Sequence, residues 1–306
     1  MAFSAQDVKE LRELTGVGMM DCKKALTESD GDMQKAIDWL REKGLAAAQK
    51  KAGRIAAEGM AYSAVIDSIG VVVEVNAETD FVAQNEKFVD FVKGVAEAVA
   101  KNAPADLEAL LASKYPGSDK TVQEMQQEMV LVIGENITTR RFIRYTEGVC
   151  VPYVHAGGKI GVMVNMDVSG IADMDAVTAL GKDIAMQIAA MNPSYRDKSD
   201  VDQTVLDKEK EILMIQAKED PKNASKPENI IEKMVLGRVG KFYEENCLLQ
   251  QAFVKGDKIT VEQHVAQTAK ALGGTITVKA FTRFEKGEGI EKKQENFADE
   301  ISKLVQ

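Results

Sequence analysis

One β-branched heptapeptide carries the clearest structural signal in this 306-residue chain: Ile69–Val75, with the sequence IGVVVEV. Branched side chains suit a pleated sheet, so this run predicts a β-strand. A polar segment follows, after which apolar residues recur at helical spacing until Pro104 ends the pattern. The apolar face of this predicted helix consists of Phe88, Phe91, Val92, Val95 and Val99.

The same order of strand and helix recurs later in the chain. Lys159–Met166 (KIGVMVNM) predicts a second strand, and a second apolar helical face precedes Pro193. The Ile-Gly pairs of the two strands begin at residues 69 and 160, which are 91 positions apart, and the two prolines are 89 positions apart. This nearly constant offset indicates an internal duplication of a strand–helix unit, with chance similarity between two half-buried strands as the alternative.

Two further alternating segments predict strands that extend the sheets. They lie near Arg140–Tyr145 and at Ile276–Phe284. Strands of this kind, separated by helices and turns, favour an α+β fold with antiparallel sheets over a doubly wound parallel sheet.

Residues 1–44 predict a compact module of three short helices. Ser4 and Asp7 resemble a capping box at the start of the first helix, and Gly44 is expected to end the third. So few residues bury little surface, which is more typical of a docking unit than of a catalytic domain. The Ala-, Lys- and Gln-rich stretch Leu45–Glu58 that follows is expected to be a linker.

Apolar stripes on either side of Pro221 and Pro227 predict an antiparallel helical hairpin. The first stripe consists of Val205, Leu206, Ile212, Leu213 and Ile215, and the second of Ile231, Val235, Val239 and Phe242. We therefore expect an N-terminal docking module with its linker at 1–54, a core N-subdomain at 55–146, a core C-subdomain at 147–196 and 250–286, an inserted hairpin at 197–249, and a C-terminal module with a helix at 287–306.

Composition excludes several functional classes. The 39 basic and 48 acidic residues give a net charge of −9, which is unfavourable for binding nucleic acid or an anionic membrane through bulk charge. The three cysteines, Cys22, Cys150 and Cys247, are far apart and form no zinc or dithiol motif. No apolar run approaches the roughly 20 residues that span a bilayer, and the first residues do not resemble a secretory signal. These features predict a soluble intracellular protein.

Signals for enzymatic chemistry are weak. The chain has no Walker or Rossmann glycine motif, and Gly157–Gly161 precedes a strand instead of a helix, which favours a tight turn over a phosphate loop. Arg140, Arg141 and Arg144 could contact RNA, but a solvated strand face is the simpler interpretation. Neither histidine has a cysteine or carboxylate neighbour at ligand spacing. We expect no enzyme activity, no cofactor and no bound metal.

Two long segments resemble the signature segments of the bacterial translation elongation factor Ts family. They are Leu11–Leu26 (LRELTGVGMMDCKKAL) and Glu74–Asn85 (EVNAETDFVAQN). The resemblance extends over essentially the whole chain and implies a UBA-like N-terminal module before the duplicated core. It also implies a guanine nucleotide exchange factor of the bacterial cytoplasm that binds elongation factor Tu.

The resemblance further implies which residues act. The segment after the first strand is expected to intrude beside the partner's magnesium site through Thr79, Asp80, Phe81 and Val82. Connections of this kind are normally exposed, and Thr79 is expected to cap a helical turn there, with Asp80 near its N-terminus. The alternative is that Phe81 packs into its own core. A weaker prediction places partner docking at Thr15, Gly16, Val17, Gly18, Met19, Met20 and Asp21.

Other classes of function stay open at this point. The resemblance allows a homodimer or a 2:2 complex with the partner, with no direct contact to nucleic acid or membrane. A peptide- or RNA-binding adaptor without exchange activity is the alternative, and a phosphate-handling enzyme using Gly157–Gly161 is a more distant one. Whether the hairpin dimerises or contacts the partner does not follow from the sequence.

Overall fold

The chain begins with three helices packed around a small apolar core. In the computed structural model, which describes residues 3–223, 226–256 and 258–291, they are α1 (Ala5–Thr15), α2 (Met19–Glu28) and α3 (Met33–Lys51). The expected capping box is present, since the Ser4 hydroxyl accepts a hydrogen bond from the Asp7 amide and the Asp7 carboxylate accepts one from the Ser4 amide. Gly16 ends α1 in the left-handed region at φ +68°, which favours glycine.

The first half of the core is a three-stranded antiparallel sheet covered by helices. Its strands lie in the order β1-β2-β3, and the predicted apolar face of α4 packs against them. The elements are β1 (Glu58–Ile66), β2 (Ile69–Ala77), α4 (Glu86–Asn102), α5 (Leu107–Ala112), α6 (Val122–Ile133) and β3 (Thr138–Tyr145).

The second half repeats this plan with the strand order β4-β5-β6. Helices α7 and α10 cover its sheet, and the hairpin is inserted between them. The elements are β4 (Val149–His155), β5 (Ile160–Ser169), α7 (Met174–Met191), α8 (Gln203–Glu219), α9 (Glu228–Asn246), α10 (Val261–Ala271) and β6 (Thr275–Glu285).

The register of the strands confirms the duplication. Ala61 pairs with Glu74 in the first sheet, and Cys150 pairs with Asn165 at the same point of the second. A β-bulge follows Glu74 and another follows Asn165, so even this irregularity is repeated. The sequence pattern had missed β1 and β4, the strands that complete the two hairpins.

The two sheets pack face to face, with helices on their outer sides. A Cβ atom at Gly70 would lie 2.7 Å from the Cys150 Sγ, and one at Gly161 would lie 3.0 Å from the Ala61 carbonyl carbon. The repeated glycine therefore allows the central strand of each sheet to approach the first strand of the other. The predicted α+β class with antiparallel sheets is confirmed.

Glu74 lies fully buried between the sheets and is surrounded by donors. Its carboxylate accepts hydrogen bonds from Arg140 at 2.9 Å, from Arg141, from Asn76 at 3.1 Å and from the Gly287 amide at 2.8 Å. It therefore joins the first sheet to the segment that leaves β6. The C-terminal helix expected within 287–306 lies outside the described residues, which end at Glu291.

The expected end of the third helix at Gly44 is wrong. Helix α3 continues to Lys51, so the first half of the predicted linker, residues 45–51, is helical. Gly44 is buried where α3 crosses α6, and a Cβ there would lie 3.4 Å from the Gln127 carbonyl oxygen. This glycine allows the two helices to pack closely. In the sequence alone, such a glycine looks the same as one that ends a helix.

The hairpin helices α8 and α9 pack antiparallel, as expected. Leu206 and Phe242 share one apolar cluster at the base, and Ala217 and Ile231 share another farther out. The predicted stripe on α8 is only partly correct, because adjacent helical residues point about 100° apart. In each of the pairs Val205–Leu206 and Ile212–Leu213, only the leucine therefore faces α9. The members left exposed are Val205, Ile212 and Ile215.

Candidate functional site

The loop between β2 and α4 presents one large apolar side chain to solvent. The Phe81 side chain is 83% exposed, so the alternative that it packs into its own core is wrong. Backbone hydrogen bonds shape the turn, since Asp80 and Phe81 accept from the amides of Ala83 and Gln84, each at 3.2 Å. The Asp80 carboxylate is also exposed and has no hydrogen-bond or ion-pair partner among the residues that the structure describes.

Val82 does not lie at the exposed part of this loop. Its side chain is only 5% exposed and packs in the core beneath α4. The predicted partner contact at Val82 does not fit this burial, because Thr79, Asp80 and Phe81 are exposed whereas the Val82 side chain lies in the core. Val82 anchors the loop, while Phe81 projects from it.

Thr79 does not cap the following helical turn, contrary to expectation. That short turn, Val82–Gln84, has no side-chain cap, and the helix after it is capped by Asn85, whose side chain accepts from the Lys87 amide at 3.0 Å. The Thr79 hydroxyl instead donates to Glu135 Oε1 at 2.7 Å, and the Thr79 amide donates to Glu135 Oε2 at 2.9 Å.

The N-terminal candidate segment divides into buried and exposed residues. Val17 is buried, and the Thr15 hydroxyl donates to the Leu11 carbonyl at 2.7 Å, so both serve the module's own structure. Met19 and Met20 point outward, and Met20 is 76% exposed. Leu14 is exposed as well. Within the predicted docking segment, the two methionines are therefore the apolar side chains that are accessible to a partner.

Gly18 and Asp21 organise the start of α2. Gly18 precedes the helix in an extended conformation, and its carbonyl accepts from the Asp21 amide at 3.0 Å. The Asp21 carboxylate forms an ion pair with Lys43 of α3. Asp21 therefore fixes α2 to α3, and it has less freedom to meet a partner than the methionines have.

Lys87 brings the two candidate segments to one side of the molecule. Its ammonium group donates to the Gly16 carbonyl at 3.1 Å, across a separation of 71 residues. A cleft of about 480 Å³ lies between the Gly16 turn and the start of α4. These contacts place the Gly16–Gly18 turn, which directly precedes the exposed methionines, beside the start of the helix that follows the Phe81 loop. Neither Lys87 nor Glu135 was predicted, because contacts between distant loops leave no local pattern in a sequence.

The other sequence candidates have structural roles in the chain. Arg140 and Arg141 pair with Glu74, and Arg144 donates to the Ala100 carbonyl at 3.1 Å. Gly157 and Gly158 form the turn that enters β5, as the simpler interpretation held. Among residues 3–223, 226–256 and 258–291, no group of three or more His, Cys, Asp or Glu side chains is placed to hold a metal ion. Within the same residues, no helix is long and apolar enough to cross a membrane.

An ordered loop with an exposed aromatic ring, together with exposed apolar side chains on the N-terminal module, is typical of a protein that contacts another macromolecule. The family model described as Elongation factor TS matches residues 78–288. Proteins named Elongation factor Ts from Clostridium perfringens, strain SM101, and Trichlorobacter lovleyi are 51% and 49% identical over 306 and 309 residues. These matches cover 99% of this chain and 99% and 98% of the two relatives.

The chain therefore belongs to the elongation factor Ts family, whose members act in guanine nucleotide exchange during translation elongation. The resemblance found in the sequence is thereby confirmed. A third relative with the same name, from Syntrophotalea carbinolica, is 47% identical over the full length of both chains.

Proposed function

We propose that this chain binds elongation factor Tu in its GDP-bound form and promotes GDP release by disturbing the partner's magnesium and phosphate site with Asp80 and Phe81. Release of GDP then allows GTP to bind in its place. The observation that carries the proposal is the 83% exposure of Phe81 on a loop whose next residue, Val82, is anchored in the core. The proposed setting is the bacterial cytoplasm, where translation takes place.

The proposed mechanism relies on the strict geometry of magnesium. This ion requires near-ideal octahedral coordination at about 2.0–2.1 Å, so small displacements of its ligands weaken its binding. An aromatic ring and a carboxylate that enter beside the ion would move those ligands and loosen the bridge between magnesium and the diphosphate. The chain supplies no nucleotide or metal of its own in this scheme.

Docking at a second position would support the insertion of Phe81 beside the partner's magnesium site. Leu14, Met19 and Met20 are exposed apolar side chains of the N-terminal module, and Lys87 ties the turn between them to the start of α4. Binding at this surface would hold the two proteins together while Phe81 enters. Burial of apolar side chains in a partner offsets the free energy lost when nucleotide contacts break.

Thermodynamic linkage sets the direction of the effect. If this chain weakens GDP binding by some factor, GDP must weaken the binding of this chain by the same factor. A transient complex of the partner, GDP and this chain is therefore required for release. The cellular ratio of GTP to GDP, and not this chain, decides which nucleotide rebinds.

Release of a fluorescent GDP analogue from elongation factor Tu tests the proposal. We expect wild-type chain to accelerate release and Phe81→Ala to lower that stimulation by about ten- to hundredfold, because the ring contributes roughly 1.5–3 kcal/mol on burial. The matched control is Val65→Ala, which truncates an exposed apolar residue at the opposite end of the β1–β2 hairpin. Wild-type stimulation by Phe81→Ala would contradict the role of the ring.

Self-association remains a separate prediction. Ile212, Ile215 and Leu236 are exposed on the hairpin, which offers an apolar surface for a second copy or for the partner. Sedimentation of the chain alone and mixed with elongation factor Tu distinguishes a monomer, a homodimer and a 2:2 complex.

A further inference from the structure

Two carboxylates join the Asp80–Phe81 loop to a neighbouring loop in a reciprocal way. Glu135, which follows α6, accepts hydrogen bonds from both the amide and the hydroxyl of Thr79, at 2.9 and 2.7 Å. In return, Glu78 accepts a hydrogen bond from the Asn136 amide at 2.6 Å. Each loop therefore supplies one carboxylate and one backbone donor to the other.

The neighbouring loop is itself held from the opposite side. The Asn136 side-chain amide donates to the Arg54 carbonyl at 2.8 Å, and the Lys51 ammonium group donates to the Gly134 carbonyl. Asn136 is buried, whereas Glu135 is partly exposed and has its described contacts with Thr79. The loop after α6 is thus a fixed support, and Glu135 is the part of it that reaches the candidate site.

We propose that Glu135 is a positioning residue that holds the Asp80–Phe81 loop in the conformation able to enter the partner. This inference rests on the proposed function. Both of its hydrogen bonds end on Thr79, the residue directly before Asp80. Without them, the loop gains freedom, and an exposed ring lowers its free energy by folding back onto the protein surface.

Preorganisation predicts a specific kinetic effect. A loop that is already ordered does not lose conformational entropy when it inserts, so the insertion step is faster. Initial docking through Leu14, Met19 and Met20 does not involve Glu135. Loss of Glu135 should therefore lower the maximal rate of GDP release at saturating concentrations, while the concentration that gives half of that rate stays the same.

The experiment compares Glu135→Ala, Thr79→Val and Thr79→Ser in stimulated GDP release from elongation factor Tu. We expect Glu135→Ala to lower the maximal rate about tenfold, because it removes both hydrogen bonds from Thr79 and each contributes about threefold. Thr79→Val loses only the hydroxyl and is expected to lower it about threefold, whereas Thr79→Ser keeps both donors and stays within about twofold of wild type. Glu108→Ala, which truncates an exposed carboxylate on α5, is the matched control.

Hydrogen exchange at residues 79–85 provides a second readout that does not depend on the partner. We expect faster exchange of the Thr79 amide in Glu135→Ala, with β2 amides unchanged. If Glu135→Ala does not fold, Thr79→Val decides the question.

The outcomes separate the two proposals. A wild-type maximal rate for both Glu135→Ala and Thr79→Val, alongside a slow Phe81→Ala, overturns the role of Glu135 and leaves the proposed function standing. Wild-type stimulation by Phe81→Ala overturns the proposed function itself. If Glu135→Ala raises the half-saturating concentration and leaves the maximal rate unchanged, Glu135 is a docking residue. That result would also contradict the positioning role.

Discussion

Replacing Glu74 with alanine removes the acceptor that four donors share between the two sheets. The carboxylate is fully buried, and Arg140 and Arg141 would keep their positive charges beside an empty space. Removing one partner from a buried ion pair costs about 3–5 kcal/mol. The Gly287 amide would lose its partner as well. We therefore expect Glu74→Ala to lower the free energy of unfolding by about 3 kcal/mol, the lower end of this range, because both arginines are partly exposed and Arg141 keeps its ion pair with Glu288.

Urea denaturation followed by far-ultraviolet circular dichroism measures this loss. The control is Asp167→Ala, which removes an exposed ion pair with Lys279 on the same core and should lower the free energy of unfolding by less than about 1 kcal/mol. Glu74→Gln keeps one acceptor oxygen and should fall between the two variants. The reasoning is refuted if Glu74→Ala is no less stable than Asp167→Ala.

Two further predictions concern the surface and the effect of acid. Lys87→Met removes the hydrogen bond to the Gly16 carbonyl and should raise the half-saturating concentration in GDP release about two- to fivefold, with the fold unchanged; an unchanged concentration would contradict a shared docking surface. Burial raises the pKa of Asp197, but hydrogen bonds from Ser199 and Gln250 outweigh burial and hold the pKa at about 2. Because this pKa is depressed, the ionised carboxylate stabilises the fold above about pH 4, and that contribution is lost as the pH falls through 2. Asp197→Asn should therefore be less stable than wild type at pH 6 and nearly equal near pH 2 in urea denaturation, and a difference that is the same at both pH values would contradict the assignment.

Local patterns allowed much of the fold to be predicted from the sequence. The branched run at Ile69–Val75 and the apolar face of α4 were clear, because a strand and an amphipathic helix have different periods. The repeat was also detectable, because both central strands need a glycine where the sheets approach each other. Gly44 misled the prediction, because glycine at a helix crossing and glycine at a helix end look alike in one sequence.

The position of the candidate site was predictable from the sequence, but the contacts that hold its loop in place were not. A polar connection after a strand is normally exposed, and Phe81 there is indeed exposed. Phe81 is exposed and Val82 is buried because of the path of the turn, and no periodic sequence pattern encodes that path. The contact of Glu135 with Thr79 joins residues 56 positions apart, so only the assembled fold reveals it.

Magnesium dependence tests the central mechanism most directly. Stimulated GDP release from elongation factor Tu is measured with wild-type chain and with Phe81→Ala, first with magnesium present and then with the ion removed by a chelator. If Phe81 acts through the magnesium site, the wild-type rate should exceed the variant rate by about ten- to hundredfold with the ion, and the ratio should approach one without it. An equally large ratio in both conditions would contradict the account.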